Sequence, residues 1–90
     1  MRCPAQIFTG ITRKKFNALV IEAAVDGVAI SSDQGQVIAH GGTFAWDFQE
    51  SASTLTITCL QNPKIGPFHI SCDAVYSKIR AWVNPPVPGA

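Results

Sequence analysis

The sequence predicts an α+β domain in which a short antiparallel sheet of four to five strands carries two amphipathic helices on one face. Apolar residues recur at helical spacing near each end of the chain, and apolar and polar residues alternate with a period of two across its middle. Segments rich in glycine, proline and small polar residues separate these patterns. The predicted order is β-α-β-β-β-β-α, in one domain over residues 1–84, followed by a flexible Pro-rich tail over residues 85–90.

The first helix is predicted over residues 13–25, after a short strand over residues 5–11. Thr12 is expected to cap the helix, because its hydroxyl can accept a hydrogen bond from a free N–H of the first turn. Gly27 suits the left-handed position that often follows a last helical turn. The apolar stripe that faces the core consists of Phe16, Leu19, Val20, Ala23 and Ala24.

Four further strands are predicted, over residues 28–31, 36–40, 43–49 and 54–60. In the third of them Phe44, Trp46 and Phe48 alternate with small or polar residues and share one face. In the fourth, threonines alternate with apolar residues in the same way. Two such neighbouring strands form an antiparallel sheet with one covered face and one wet face.

The wet face is the predicted binding surface, because threonine suits an exposed strand and because the chain carries little charge for its size. Charged residues make up 14% of the sequence, against about 25% in typical globular domains. A homodimer or a contact with another protein is therefore expected through this face or an edge strand. Its predicted residues are Asp47, Gln49, Thr54, Thr56 and Thr58.

The second helix is predicted to begin near Ser71, after a proline- and glycine-containing loop over residues 61–68. Ser71 is a suitable N-cap, and the proline after Asn84 ends the helix. The apolar positions of this helix are Val75, Ile79, Trp82 and Val83.

Charge and hydropathy argue against a nucleic-acid partner and against a membrane span. The net charge is +1, and the only basic run, residues 13–15, is expected to be a solvated first helical turn, so no nucleic-acid partner is predicted. The longest apolar run, residues 18–24, is interrupted by Glu22 and is far shorter than the roughly 20 residues of a membrane span. No signal peptide is recognised, and a cytoplasmic location is expected.

The chain has three cysteines, which cannot all pair within one molecule. Reduced thiols are the simplest expectation for a cytoplasmic protein. A disulfide between Cys59 and Cys72 is the alternative expected for an exported one.

Cys72 is the candidate catalytic residue, because it lies at a predicted helix N-terminus, where free N–H groups lower the pKa of a thiol. His69 stands three residues before it, and a neighbouring histidine can activate a cysteine nucleophile. A buried structural cysteine is the commoner case. Only the His69–Cys72 spacing resembles that of zinc ligands, so neither a metal site nor any other cofactor is predicted.

Two other features have structural explanations. The run from His40 to Gly42 resembles the oxyanion-hole loop of some hydrolases, but no Gly-x-Ser-x-Gly sequence accompanies it, and a hairpin turn explains it. The Trp and Phe residues are expected to fill the core, which leaves little room for an apolar ligand between helices and sheet.

One group of residues carries a resemblance to known proteins: segments 27–31, 43–46 and 55–59, with Cys72 and Ile79. On these residues, the last two thirds of the chain resemble a group of small, uncharacterised bacterial proteins. The element order is also loosely similar to that of small proteins encoded near polyhydroxyalkanoate storage genes. These resemblances imply a fold and a bacterial source, without an activity.

The sequence therefore predicts a non-enzymatic binding or assembly module of bacterial origin. The alternative is a thiol-dependent enzyme or redox protein that uses Cys72 with His69 or Cys59.

Overall fold

A computed structural model describes residues 3–84, in which two helices cover one face of a four-stranded antiparallel sheet. This confirms the predicted α+β class and the predicted arrangement. The tail predicted over residues 85–90 lies outside the described residues. The elements in chain order are β1 (Gln6–Thr9), α1 (Arg13–Val25), β2 (Gln34–Ala39), β3 (Gly42–Gln49), β4 (Thr54–Gln61), β5 (Lys64–Ile65), β6 (Phe68–His69) and α2 (Cys72–Val83).

The four-stranded sheet has the order β1-β4-β3-β2, so β3 and β4 form its centre. Their register places Trp46 opposite Ile57 and Phe48 opposite Leu55. Because side chains alternate along a strand, these four residues share one face, and all of them are buried. β1 pairs with β4, so α1 crosses the inner face between the first strand and the far edge of the sheet.

The helices close the core over that face. The ring of Phe16 on α1 stacks on that of Phe48, with centroids 4.3 Å apart and planes inclined by 9°. Leu19 of α1 and Ile79 of α2 are completely buried with them. Burial of a side chain of this size stabilises the fold by about 1.5–3 kcal/mol. Among residues 3–84 no helix is long and apolar enough to cross a membrane.

Both helix caps are confirmed. Thr12 Oγ1 accepts a hydrogen bond from the N–H of Lys15, and Ser71 Oγ accepts one from Ala74, both at 3.2 Å. The predicted apolar face of α2 is buried throughout. On α1, Ala24 is exposed rather than part of the buried stripe, since the helix turns that position away from the sheet.

The strand predicted over residues 28–31 is wrong. Val28 and Ile30 alternate and are buried, but this segment forms no ladder, and the N–H of Val28 bonds instead to the carbonyl of Ala23 at the end of α1. The loop predicted over residues 61–68 is also partly wrong, because β5 and β6 pair as a small hairpin around Gly66.

A disulfide joins Cys3 to Cys72, and Cys59 is free and buried. Neither three reduced thiols nor the alternative pair of Cys59 and Cys72 is found. The closed loop spans 69 residues in sequence, and cross-linking a loop of this length removes about 4 kcal/mol of unfolded-chain entropy. The disulfide therefore fastens α2 to the beginning of the described chain.

Arg13, expected to be simply solvated, connects three elements. Its guanidinium donates to both carboxylate oxygens of Asp33, at 2.8 and 2.7 Å, and its Nε donates to Glu50 at 2.6 Å. It also lies 5.0 Å from the centroid of the Phe48 ring. Through its hydrogen bonds, Arg13 holds the pKa of Asp33 below its ordinary value.

The Asp33 ion pair predicts a pH dependence of stability. Since folding lowers the pKa of Asp33, its contribution is complete above the unfolded-state pKa and is lost as the pH falls through the folded-state pKa. We expect Asp33→Asn to lower Tm at neutral pH and to lose this effect as the pH falls from the ordinary Asp pKa of about 3.9 through the lower folded-state pKa. Thermal unfolding followed by circular dichroism across this range measures the difference. Asp47→Asn, whose carboxylate forms no salt bridge in residues 3–84, is the control. An Asp33→Asn effect that does not change with pH would contradict this account.

Candidate functional site

The predicted binding residues of the sheet lie together on the face opposite the helices. Asp47 stands across from Thr56, Gln49 across from Thr54, and Thr58 continues the same row. Gln49 donates a hydrogen bond from Nε2 to Asp47 Oδ1 at 2.7 Å. The alternation of the strands therefore brings together all the side chains that the sequence assigned to this face.

The predicted catalytic pair is not joined. Cys72 is the first residue of α2, partly exposed, and bonded to Cys3. His69 is exposed on β6, and within residues 3–84 no hydrogen bond connects its ring to Cys72. Cys59 is completely buried, and its thiol donates to the carbonyl of Gln61 at 3.3 Å. Cys72 is thus at the predicted helix end, but with a different partner from those expected.

Asn62, which no sequence pattern singled out, is a completely buried polar residue beside the disulfide. Its Nδ2 donates to the carbonyl of Ile70 at 2.7 Å and lies 3.6 Å from Cys72 Sγ. Its Oδ1 lies 3.4 Å from Cys3 Sγ. An asparagine before a proline is typical of a loop, so nothing in the local sequence pointed to this position. The amide therefore lies against the disulfide, with its oxygen toward Cys3 Sγ and its nitrogen toward Cys72 Sγ.

A cavity of about 340 Å³ opens between α2, the β5–β6 hairpin and the turn from β2 to β3. The expectation of a completely filled core is therefore wrong at this edge. Residues 61–68 were expected to be a loop, but residues 64–69 form a hairpin, and its first strand borders this space. The apolar wall of the cavity is formed by Val28, Phe44, Ile70, Val75, Ile79 and Trp82.

Asp26 joins the elements around one side of the cavity. It ends α1, and its carboxylate accepts a hydrogen bond from Trp82 Nε1 at 2.6 Å. The other carboxylate oxygen lies 3.5 Å from Lys78 Nζ. One acidic residue therefore attaches the end of α1 to two positions on α2, and its negative charge is paired with the ammonium group of Lys78.

His40 occupies the turn between β2 and β3, next to Asp26. Its Nε2 lies 2.6 Å from the carbonyl oxygen of Asp26. A carbonyl only accepts, so Nε2 carries the proton and donates. The His40 carbonyl in turn accepts from the N–H of Lys64 at 3.0 Å, which attaches the β5–β6 hairpin to this turn. The predicted hairpin turn is confirmed, but it begins one residue earlier than expected: His40, predicted as the end of a strand, and Gly41 form it with positive φ values of 54° and 76°, and Gly42 begins β3.

Basic side chains predominate at the cavity mouth. Lys64 and Lys78 both line it and are exposed, against the single carboxylate of Asp26. Lys64 forms no salt bridge within residues 3–84. In the same part of the chain, no group of three or more His, Cys, Asp or Glu side chains is placed to hold a metal ion.

A comparison of the chain with known protein families, curated proteins and solved structures finds no match. The function is therefore inferred from the geometry of these residues alone.

The environment of Cys59 predicts an unreactive thiol. Burial raises the pKa of Cys59, so little thiolate is present at neutral pH. We expect iodoacetamide at pH 7 to leave Cys59 unmodified in the folded, oxidised protein and to modify it once denaturant is added. Mass spectrometry of the intact chain measures both. Modification of the folded protein at the rate of a free cysteine would show that Cys59 is accessible and able to assist Cys72.

Proposed function

We propose that the chain is a non-enzymatic binding module that holds a small molecule with an apolar body and one anionic group. The observation that carries this proposal is the cavity beside α2, with its apolar wall and basic mouth. This proposal makes the predicted binding module more specific, because it names a site and a class of ligand.

The size and lining of the cavity support an apolar body. Its volume of about 340 Å³ falls at the lower end of the range for small-molecule sites, roughly 300–1,000 Å³. The walls come from side chains on α2, on β3 and after α1, which the core holds in place. A ligand that enters would remove apolar surface from water without requiring the protein to unfold around it, and about 25 cal/mol is gained for each Å² buried.

The charges at the mouth support an anionic group on the ligand. The Asp26 carboxylate is already bound by Trp82 and faces Lys78, so it offers little to an incoming cation. Lys64 and Lys78 leave an excess of one positive charge around the opening. A carboxylate at the end of an apolar molecule would meet these ammonium groups, while its body lies against the wall.

Calorimetric titration with three ligands of equal chain length tests the proposal. Decanoate, decanol and decylamine share the apolar body and differ in the charge of the head group. We expect decanoate to bind most tightly and decylamine most weakly. Lys78→Met should weaken decanoate binding about fivefold, which corresponds to about 1 kcal/mol for an exposed charge, and should leave decanol unchanged.

Two variants serve as controls for this titration. Lys14→Met removes an exposed charge from α1, away from the cavity, and should leave all three affinities unchanged. Ala74→Phe places a larger side chain on an exposed position that lines the cavity, and should prevent binding of all three ligands while Tm is retained. Binding that survives Ala74→Phe, or an equal affinity for decanoate and decylamine, would count against the proposed site.

The exposed sheet face supports a second form of binding, the expected homodimer. Ile7 and Ile38 lie on the same face as the predicted polar residues and are 66% and 77% exposed. We expect multi-angle light scattering at increasing concentration to give twice the mass of the chain, and Thr56→Lys, at the centre of the face, to return the monomer mass. A strict monomer at every concentration would exclude this contact.

The remaining expectations stay predictions. A bacterial source and a cytoplasmic location rest on the resemblance and on sequence features alone. The alternative of a thiol-dependent enzyme or redox protein draws support from the place of Cys72 at the start of α2. Burial of Cys59 and exposure of His69 favour Cys3 over either of them as the partner of Cys72.

A further inference from the structure

The orientation of the Asn62 amide is fixed by its surroundings. Because Nδ2 donates to the carbonyl of Ile70, Oδ1 must face the opposite way, toward Cys3 Sγ at 3.4 Å. A disulfide sulfur carries no proton, so in the oxidised protein it cannot donate to this oxygen. Asn62 is completely buried, and within residues 3–84 the contact with Cys3 Sγ is the only one found for Oδ1 that meets a hydrogen-bond distance. A buried acceptor without a donor is unfavourable.

Reduction would supply the missing donor. A reduced Cys3 carries an S–H, which can donate to Asn62 Oδ1 at the same place. The unsatisfied acceptor therefore belongs to the oxidised state only, and its energetic cost disappears when the disulfide opens. This shifts the equilibrium of the pair toward the dithiol.

Cys72 is placed to carry the thiolate. It is the first residue of α2, where free backbone N–H groups stabilise a negative charge. The Nδ2 of Asn62 adds a further N–H at 3.6 Å from its sulfur. Cys72 is partly exposed, whereas Cys3 is 1% exposed, so an attacking thiol reaches Cys72 first.

From these contacts we infer that Cys3–Cys72 is an exchangeable disulfide that accepts two electrons from a dithiol reductant, with Asn62 as the positioning residue. One thiolate of the reductant attacks Cys72 Sγ, the bond to Cys3 breaks, and Cys3 leaves with its electron pair and takes up a proton. The second thiol of the reductant then attacks the mixed disulfide, and Cys72 leaves as the thiolate. The products are two cysteines in the protein and one disulfide in the reductant.

This inference goes beyond the proposed ligand binding and does not depend on it, since it rests on Asn62 and the two sulfur atoms. The two can fail separately, because neither sulfur atom lines the cavity.

The test is the redox equilibrium of the protein with mixtures of oxidised and reduced dithiothreitol. All variants carry Cys59→Ser, so that only two cysteines titrate, and Cys59→Ser alone should match the wild-type equilibrium. We expect Asn62→Ala to lower the equilibrium constant for reduction about tenfold, equivalent to about 30 mV, because the oxidised form no longer contains the unpaired acceptor. Thermal unfolding of both redox forms separates this from a general loss of stability. A change below twofold, or an equal loss of Tm in both forms, would overturn the role of Asn62.

A second measurement does not require Asn62 to be changed. In reduced Cys59→Ser protein, the rate of iodoacetamide modification of Cys72 is followed against pH. We expect half-maximal reactivity below the pH of about 8.5 at which a free cysteine ionises. Half-maximal reactivity at or above that pH would overturn the inference. Loss of the folded circular dichroism spectrum on reduction would do so as well, since an exchange site needs a folded dithiol form.

Discussion

The two helices cover only one face of the sheet. α2, which completes this cover, lies at the opposite end of the described chain from β1 and α1. Three contacts attach α2, through residues 3 and 4, to the sheet. The disulfide joins its first turn to Cys3, the hydroxyl of Tyr76 donates to the carbonyl of Pro4, and the N–H of Cys3 bonds to the carbonyl of Cys59 on β4. The residues just before β1 are thus bound both to the sheet and to α2. The position of every residue on the inner face of α2, including those around the cavity, depends on this attachment.

At the other end of α2, Asp26 has the corresponding role. It ends α1, accepts from Trp82, faces Lys78 and accepts from His40 through its carbonyl. An isolated carboxylate in this half-buried place would be unfavourable, but here both of its oxygens have partners. Asp26 thereby links both helices to the turn at His40, and the N–H of Lys64 links that turn to the β5–β6 hairpin. The elements that border the cavity are therefore attached to one another through hydrogen bonds.

The sequence predicted what depends on local periodicity. Phe16, Leu19 and Ala23 repeat at helical spacing, and Phe44, Trp46 and Phe48 repeat at strand spacing, so the helices and the central strands could be derived. Residues 28–31 show where prediction from local periodicity fails. Val28 and Ile30 alternate as in a strand, but they face the core without a partner strand. The two-residue strands β5 and β6 are too short for any period to appear.

The candidate sites depend on contacts between distant residues, which no local pattern contains. The exposed face of Asp47 and Thr56 was predictable, since the alternation of two adjacent strands determines it. The pairing of Cys3 with Cys72 was not predictable. It requires knowing that the segment before β1 lies beside β4 and near the start of α2. Asn62 has no local signature either: the same dipeptide with Pro63 occurs in ordinary loops, and its importance comes from complete burial beside two sulfur atoms.

The segment from Asn62 to Cys72 belongs to both sites. Asn62 binds the carbonyl of Ile70, the N–H of Ile70 binds the carbonyl of Pro63, and the N–H of Lys64 binds the turn at His40. These hydrogen bonds place Ile70 in the wall of the cavity and, at the same time, direct the amide of Asn62 toward the sulfur atoms. A displacement of the hairpin large enough to change the cavity would move Ile70, and Asn62 would then lose the contact that fixes its orientation. The shape of the cavity and the environment of the disulfide are therefore two consequences of the same backbone contacts.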